Sequence, residues 1–232
     1  MDIHCLGISH NTASVALREC IAFSAHKLNA ALARVGCGEK VAWQEIREIA
    51  ILSTCSRVEI YAVANQPIFD TLEAFLAEVQ GVAAQEFDPV VYRLLNEDAV
   101  IHLLRVAAGL DSVVLGESQI LGQVTNAYAA ARQHGAVGAI VSRLFQTAIR
   151  AGKRSRTETM IGHNPASISS VAVNLIAKTV PALESAQILV IGAGEMAELA
   201  VESLRKRGVT HLTVVNRTVA KAKALAELWN GQ

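Results

Sequence analysis

Two stretches of this 232-residue chain carry side chains able to do chemistry. The first is Thr54-Cys55-Ser56-Arg57, set between an apolar run and an alternating one. Thiolate is the nucleophilic form of cysteine, and a neighbouring guanidinium favours it. Cys55 is therefore a candidate nucleophile, with Arg57 as its cationic neighbour. The competing reading is a small apolar residue at a strand end, because free cysteines are commonly buried. The second stretch is Gly192-Ala193-Gly194-Glu195-Met196-Ala197, a GxGxxA turn. In that pattern the first glycine permits a tight turn and the second lets backbone N–H groups approach a pyrophosphate. The closing Ala lets the helix pack closely on the strand. The alternative is a glycine turn with a purely structural role. About 20 residues on, the next strand ends in Asn216-Arg217-Thr218. An acidic residue there would grip the 2′-hydroxyl of NAD, whereas a cation and a hydroxyl suit a 2′-phosphate, so NADPH is the expected cofactor.

The elements that position these residues follow from hydrophobic period. Ile3–Ile8 reads as a strand, and Val15–Phe23 and His26–Val35 read as short helices, the second of them ended by Gly36-Cys37-Gly38. Ile46–Leu52 and Val58–Ala64 are strands whose short connection, which carries Cys55, makes them antiparallel neighbours. Pro67 can open a helix whose apolar positions are Phe69, Leu72, Phe75, Leu76 and Val79. A strand at Val90–Tyr92 would complete the β-α-β-β-α-β order of a ferredoxin-like α+β domain. Helices follow over Asn96–Ala108, Gln119–His134 and Ile140–Thr157. The last of these carries Arg143, Arg150, Lys153, Arg154 and Arg156, read as a solvated face rather than a phosphate-contact surface. Gly162-His163-Asn164-Pro165 breaks the pattern, giving a substrate domain over 1–160 and a dinucleotide domain over 161–232. The second domain holds a helix over Ser167–Thr179 and a fully apolar strand over Gln187–Ile191. Beyond them lie the GxGxxA turn with its helix, a strand over His211–Val215, and a helix over 218–229. Two strands are fewer than a complete Rossmann-type domain needs, so the fold class is α/β with a partial nucleotide domain.

Composition narrows the alternatives. Lys+Arg and Asp+Glu balance at 21 each, which excludes a chain saturated with phosphate contacts but not a local basic face. The four cysteines form no CxxC pair, so neither a zinc ribbon nor a dithiol redox site is indicated, and no metal is expected. The start lacks a basic segment followed by a long apolar one, and no run is long enough to span a bilayer. A reduced cytoplasmic protein with no membrane partner is the simplest expectation.

Three segments carry a family resemblance. Gly7-Ile8-Ser9-His10-Asn11-Thr12-Ala13 resembles the opening motif of the glutamyl-tRNA reductases. Leu52 to Tyr61 resembles their cysteine motif. Gly109-Leu110-Asp111-Ser112 through Leu115-Gly116-Glu117-Ser118-Gln119-Ile120-Leu121-Gly122-Gln123 resembles their substrate signature. With the GxGxxA turn these span essentially the whole chain in order. The resemblance implies NADPH-dependent reduction of glutamyl-tRNA(Glu) to glutamate-1-semialdehyde through a cysteine thioester, the entry to tetrapyrrole and porphyrin biosynthesis.

By the same resemblance Cys55 is the nucleophile, and His102 assists proton transfer to the leaving ribose hydroxyl. Thr54, Ser56 and Arg57 contact substrate, with Arg57 gripping the glutamate carboxylate. Ser112, Glu117, Ser118, Gln119 and Gln123 form the second substrate segment, with Glu117 on the α-ammonium. Gly192, Ala193, Gly194, Glu195, Met196, Ala197, Asn216, Arg217 and Thr218 hold NADPH, and His10 has a structural or substrate-edge role. The family commonly has Asn where Ser56 stands, and its members continue through the rest of the nucleotide domain and a helical dimerisation domain. The implied partners are the tRNA, a second copy of the full-length protein, and glutamate-1-semialdehyde aminomutase, while this shorter chain is expected to be monomeric. Two other readings stand beside it: a noncatalytic fragment that binds tRNA or a regulator, and an unrelated thiol hydrolase with a vestigial nucleotide fold.

Overall fold

The structure is a computed structural model that describes residues 1–36, 43–162 and 168–228. The expected breaks at Cys37-Gly38 and His163-Asn164-Pro165 lie outside the described residues. Two compact units divide the chain, Met1–His163 and Asn164–Gln232.

In the first unit the order is β1 (Asp2–Ser9), α1 (Val15–Ile21), α2 (Ala25–Gly36), β2 (Glu48–Ser53), β3 (Arg57–Ala64), α3 (Phe69–Gln80), α4 (Ala84–Phe87) and β4 (Tyr92–Leu95). Three further helices follow, α5 (Glu97–Ala108), α6 (Gln119–Gln133) and α7 (Ala139–Glu158). The sheet runs β2-β3-β1-β4 with every neighbouring pair antiparallel, the ferredoxin-like order expected from the sequence. Every residue of β3 is buried, because helices cover both faces of the sheet. On one face His4 meets Phe69 of α3 edge-on at 5.2 Å, and on the other Tyr61 meets Phe145 of α7 at 5.4 Å.

Several boundaries differ from the sequence reading by a residue or two, and three of the differences have a local reason. β4 begins at Tyr92, two residues later than the predicted Val90, because Asp88–Val90 forms a 3-10 turn around Pro89. Proline has no N–H to give a ladder, so pairing starts beyond it, with Tyr92 opposite Gly7. α1 opens on Ser14, whose hydroxyl accepts from the Leu17 N–H, and stops at Ile21. The Phe23 N–H is bonded instead to the Ser53 hydroxyl at 3.0 Å, ahead of the cysteine loop. Ile68 is the residue that precedes α3, which leaves Pro67 outside the first turn.

The second unit contains α8 (Ile168–Thr179), β5 (Gln187–Ile191), α9 (Glu195–Arg205), β6 (His211–Val215) and α10 (Val219–Leu228). β5 and β6 pair in parallel, Gln187 opposite His211 through Ile191 opposite Val215. Ile188, Val190, Leu212 and Val214 pack under the helices. The other face differs from the buried strand that the apolar run predicts: Leu189 is 58% exposed, Ile191 82% and Val215 50%. A parallel strand is normally covered on both sides, and here the helices cover one.

Candidate functional site

The cysteine loop is built by Thr54. Its hydroxyl accepts the backbone N–H groups of Ser56 and Arg57, both at 3.1 Å, while its own N–H donates to the Arg57 carbonyl at 2.8 Å. That closes a tight turn of the kind Thr supports beside a strand end. Two further contacts pin it: the His10 N–H donates to the Ser56 carbonyl at 2.8 Å, and Arg18 Nε donates to the Cys55 carbonyl at 3.4 Å. Cys55 itself is exposed, its sulfur 3.6 Å from the Ser56 hydroxyl. Exposure on a pinned loop removes the alternative of a buried small residue at this position. Among the described cysteines Cys20 is also exposed and Cys5 is buried.

Arg57 departs from its expected role as a free clamp. It is 1% exposed, with Nη1 on Glu59 at 2.5 Å and Nη2 on both the Asp111 carbonyl and, at 3.1 Å, the Asp111 carboxylate. Its charge is already matched by two acids. To grip a substrate carboxylate it must first release Asp111.

Glu59, unremarked in the sequence, is the hub of the network. Its Oε1 accepts from Arg57, from the Tyr92 hydroxyl at 2.6 Å and from His102 Nε2 at 2.8 Å, and its Oε2 accepts from the Tyr61 hydroxyl at 2.6 Å. Burial alone would raise its pKa, but the His102 hydrogen bond and the Arg57 charge overcome that and hold it at about 2. The ionised carboxylate also makes His102 Nε2 the donor of its bond. Burial pushes the Tyr61 and Tyr92 hydroxyls well up, reinforced by Cys5 and then Glu59 at Tyr61 and by Glu59 and then Cys5 at Tyr92, so both remain protonated donors. Tyr92 reaches Glu59 because Gly7 lies between them in the register: a Cβ on Gly7 would stand 2.7 Å from the Tyr92 ring. Cys5 Sγ, Glu59 and His102 lie within 4.8 Å of one another, which are the ligand types of a zinc site. The Arg57 charge and four donors already on that carboxylate argue against a cation there.

The second predicted segment follows α5, whose end is closed by Gly109 in the left-handed region at φ +78°. Asp111 turns back onto Arg57, and the buried Ser112 hydroxyl has no partner among the described residues. Nδ1 of His10 is a second buried polar atom here with no partner among the described residues; burial first and then the Arg57 charge lower the pKa of this ring. Glu117 is 8% exposed, and its carbonyl accepts from Arg156 of α7 at 2.9 Å. Ser118 precedes α6 and is exposed, with no capping bond, and Gln119 opens the helix half-buried. Gln123 lines a groove of about 290 Å³ with Leu28, Ser53 and Asn126. The structure therefore joins Arg57 to Asp111 and His102 to Glu59, and places Gln123 beside Ser53 at the end of β2. Arg18, Glu59, Tyr61, Tyr92 and Asp111 are the residues that sequence reasoning missed as parts of this network. The one signal was Glu59, an acid inside an otherwise apolar strand.

In the second unit Gly192 has φ +111°, and a Cβ on Gly192 or Gly194 would meet nothing within 4 Å. The backbone there lies open to a ligand at the start of α9, where Gly194 is the N-cap residue. Ala193 and Ala197 pack toward α10, and the Met196 carbonyl accepts from Ser169 at 3.0 Å. Glu195 begins α9. After β6 the Asn216 amide donates to the Thr218 carbonyl at 3.1 Å, and Arg217 is exposed, with no ion pair among the described residues. An open glycine turn beside an exposed guanidinium fits a phosphate-bearing dinucleotide.

An exposed thiol on a hairpin of a ferredoxin-like unit, followed by a β-α-β unit with an open glycine turn, defines a protein of the thiol-and-dinucleotide class. Residues 6–159 match the family model "Glutamyl-tRNAGlu reductase, N-terminal domain", and residues 174–232 match "Shikimate / quinate 5-dehydrogenase". The chain belongs to the glutamyl-tRNA reductase family. It is 45% identical to the glutamyl-tRNA reductase of Pseudomonas aeruginosa over 96% of this chain and 51% of that protein. To that of Synechococcus elongatus it is 42% identical, over 100% of this chain and 54% of the relative. The solved glutamyl-tRNA reductase from Methanopyrus kandleri superimposes with TM-score 0.64 at 31% identity, covering 99% of this chain and 53% of that one. The chain thus spans about half the length of the relatives it matches. Among the described residues no helix is long and apolar enough to cross a membrane.

Proposed function

We propose that this chain performs the capture half of the reduction of glutamyl-tRNA(Glu) to glutamate-1-semialdehyde. The Cys55 thiolate attacks the ester carbonyl that joins glutamate to the terminal ribose. The C–O bond breaks, the ribose oxygen leaves and takes up a proton, and glutamate remains as a thioester on Cys55. His102 is the proton-handling group on this reading, with Glu59 fixing its ring orientation. Ser56 and Ser112 offer hydroxyls to the substrate, Glu117 its carboxylate to the α-ammonium, and Ser118, Gln119 and Gln123 line the approach. Glutamate's own carboxylate reaches Arg57 by displacing Asp111. Thr54 shapes the loop, its hydroxyl donating to the Arg57 carbonyl at 3.5 Å while it accepts the two amides, so its part in binding substrate is through the loop it holds.

NADPH is the cofactor we assign to the turn at Gly192 to Ala197, with Asn216, Arg217 and Thr218 receiving its 2′-phosphate. Bound there it would supply the hydride that reduces the thioester to the aldehyde and frees the thiol. On this reading residues 1–160 form the substrate domain and 161–232 part of the cofactor domain. The full-length protein is a homodimer that passes its product to the aminomutase, and the present chain is a monomer.

What carries the reading is the exposure of Cys55 on a pinned hairpin loop inside the family-matched region. Incubation with glutamyl-tRNA radiolabelled in the glutamate should leave label on the protein, and Cys55→Ser should abolish it. Label that survives the substitution would overturn the assignment. The open face of β5 and β6 favours a second reading, a fragment that binds tRNA without completing the reduction. Turnover of glutamyl-tRNA to the aldehyde with NADPH would exclude it.

A further inference from the structure

Charge in the first unit is segregated. Residues 118–157, which make up α6 and all but the last residue of α7, contain six Lys and Arg and no Asp or Glu. The rest of the unit, 1–117 and 158–163, contains eight basic and sixteen acidic residues. A neutral chain thereby presents one cationic helical pair on an otherwise acidic unit. The six cations are disposed unequally. Arg156 turns inward, its Nη1 on the Ala107 carbonyl and its Nη2 on the Glu117 carbonyl, both at 2.9 Å, which fastens α7 to the predicted substrate segment. Arg154 is paired with Glu158, and Arg132 lies over the Tyr128 ring at 5.8 Å. Arg143, Arg150 and Lys153 are exposed and belong to no ion pair among the described residues. They extend over about 15 Å of helix, and the helix ends against the loop that carries Glu117.

We propose that Arg143, Arg150 and Lys153 of α7 form the docking surface for the phosphate backbone of the RNA whose aminoacyl end enters the Cys55 site. The inference rests on the reading of Cys55 as the acceptor of glutamate from tRNA. A polyanion is the partner that an acid-free cationic face favours, through counterion release and through orientation of the encounter. The base-independent contacts position the RNA, and the loop held by Arg156 ties that position to the reacting end.

The test uses the whole chain and two substrates, glutamyl-tRNA(Glu) and a small α-ester of glutamate that carries no RNA. Wild-type protein should bind the tRNA with a strong inverse dependence on salt. The triple variant Arg143→Ala, Arg150→Ala, Lys153→Ala should bind at least ~10-fold more weakly, with a log–log salt slope shallower by about two to three. Its Cys55 acylation by the small ester should be unchanged, and the Arg143→Lys, Arg150→Lys protein should retain tRNA affinity. All three positions are exposed, and matching circular dichroism melts show that the variants are folded. Unchanged tRNA affinity and slope in the triple variant would overturn the surface while leaving the capture reading intact. Loss of small-ester acylation in step with tRNA binding would also overturn it, by revealing a structural effect on the site. Failure of the wild-type chain to be acylated by either substrate would bring down the capture reading, and the surface with it.

Discussion

Cys55 and Glu59 divide the work between an exposed atom and a buried one. Cys55 takes its accessibility from a loop whose amides are consumed by Thr54, so the thiol can meet a large substrate without rearrangement. Glu59 has no access to solvent and serves instead to balance Arg57 and orient His102. Removing its charge leaves a guanidinium buried against a neutral amide, so Glu59→Gln should destabilise the first unit by about 3–5 kcal/mol in urea unfolding. The pH dependence follows from the same group. Its folded pKa lies below the ordinary 4.5, so its stabilisation is present above that value and is lost as pH falls toward about 2. Unfolding free energy measured across that window should fall more steeply for the wild type than for Glu59→Gln. Equal slopes would show that folding does not lower the Glu59 pKa.

At the scale of elements, the hairpin of β2 and β3 presents the thiol and β1 supports the hub through a gap. Gly7 opposes Tyr92 and Glu59 on its two sides, and only a missing side chain lets the Tyr92 ring cross to the carboxylate. Gly7→Ala should push the ring away and cost about 1–2 kcal/mol. That cost should largely vanish in a Tyr92→Ala background, a coupling measurable by a double-mutant cycle. The hairpin and the sheet order were legible because apolar runs, a short connection and helical spacing all pointed to one topology. β4 was misplaced because Val90 and Val91 read as strand while Pro89 holds the backbone in a turn. Glu59 was harder to see: in an alternating strand a charged residue ordinarily faces water, and only the helices over the second face bury it. Arg57's pairing with Asp111 spans 54 residues of sequence and had no local signal. Gly192 to Ala197 was readable because its requirement is backbone geometry, which glycine spacing states directly.

For the molecule as a whole, the two units differ in completeness. The first has a sheet covered on both faces, while the second leaves Leu189, Ile191 and Val215 bare on one face of a two-stranded sheet. Such a face should bind an apolar dye, and Leu189→Lys with Ile191→Lys should reduce that binding without loss of helical signal. The same incompleteness predicts weak NADPH binding by this chain, since a single β-α-β unit offers the pyrophosphate turn and little else. A tight NADPH isotherm would show that the turn and Arg217 suffice. The central claim is that glutamate is transferred to one particular thiol, and the chain carries its own control in Cys20, also exposed. Peptide mass mapping after reaction with glutamyl-tRNA tests it most directly. A hydroxylamine-labile glutamyl group should appear on the peptide containing Cys55 and none on that containing Cys20. A glutamyl group on Cys20, or on neither cysteine, would contradict it.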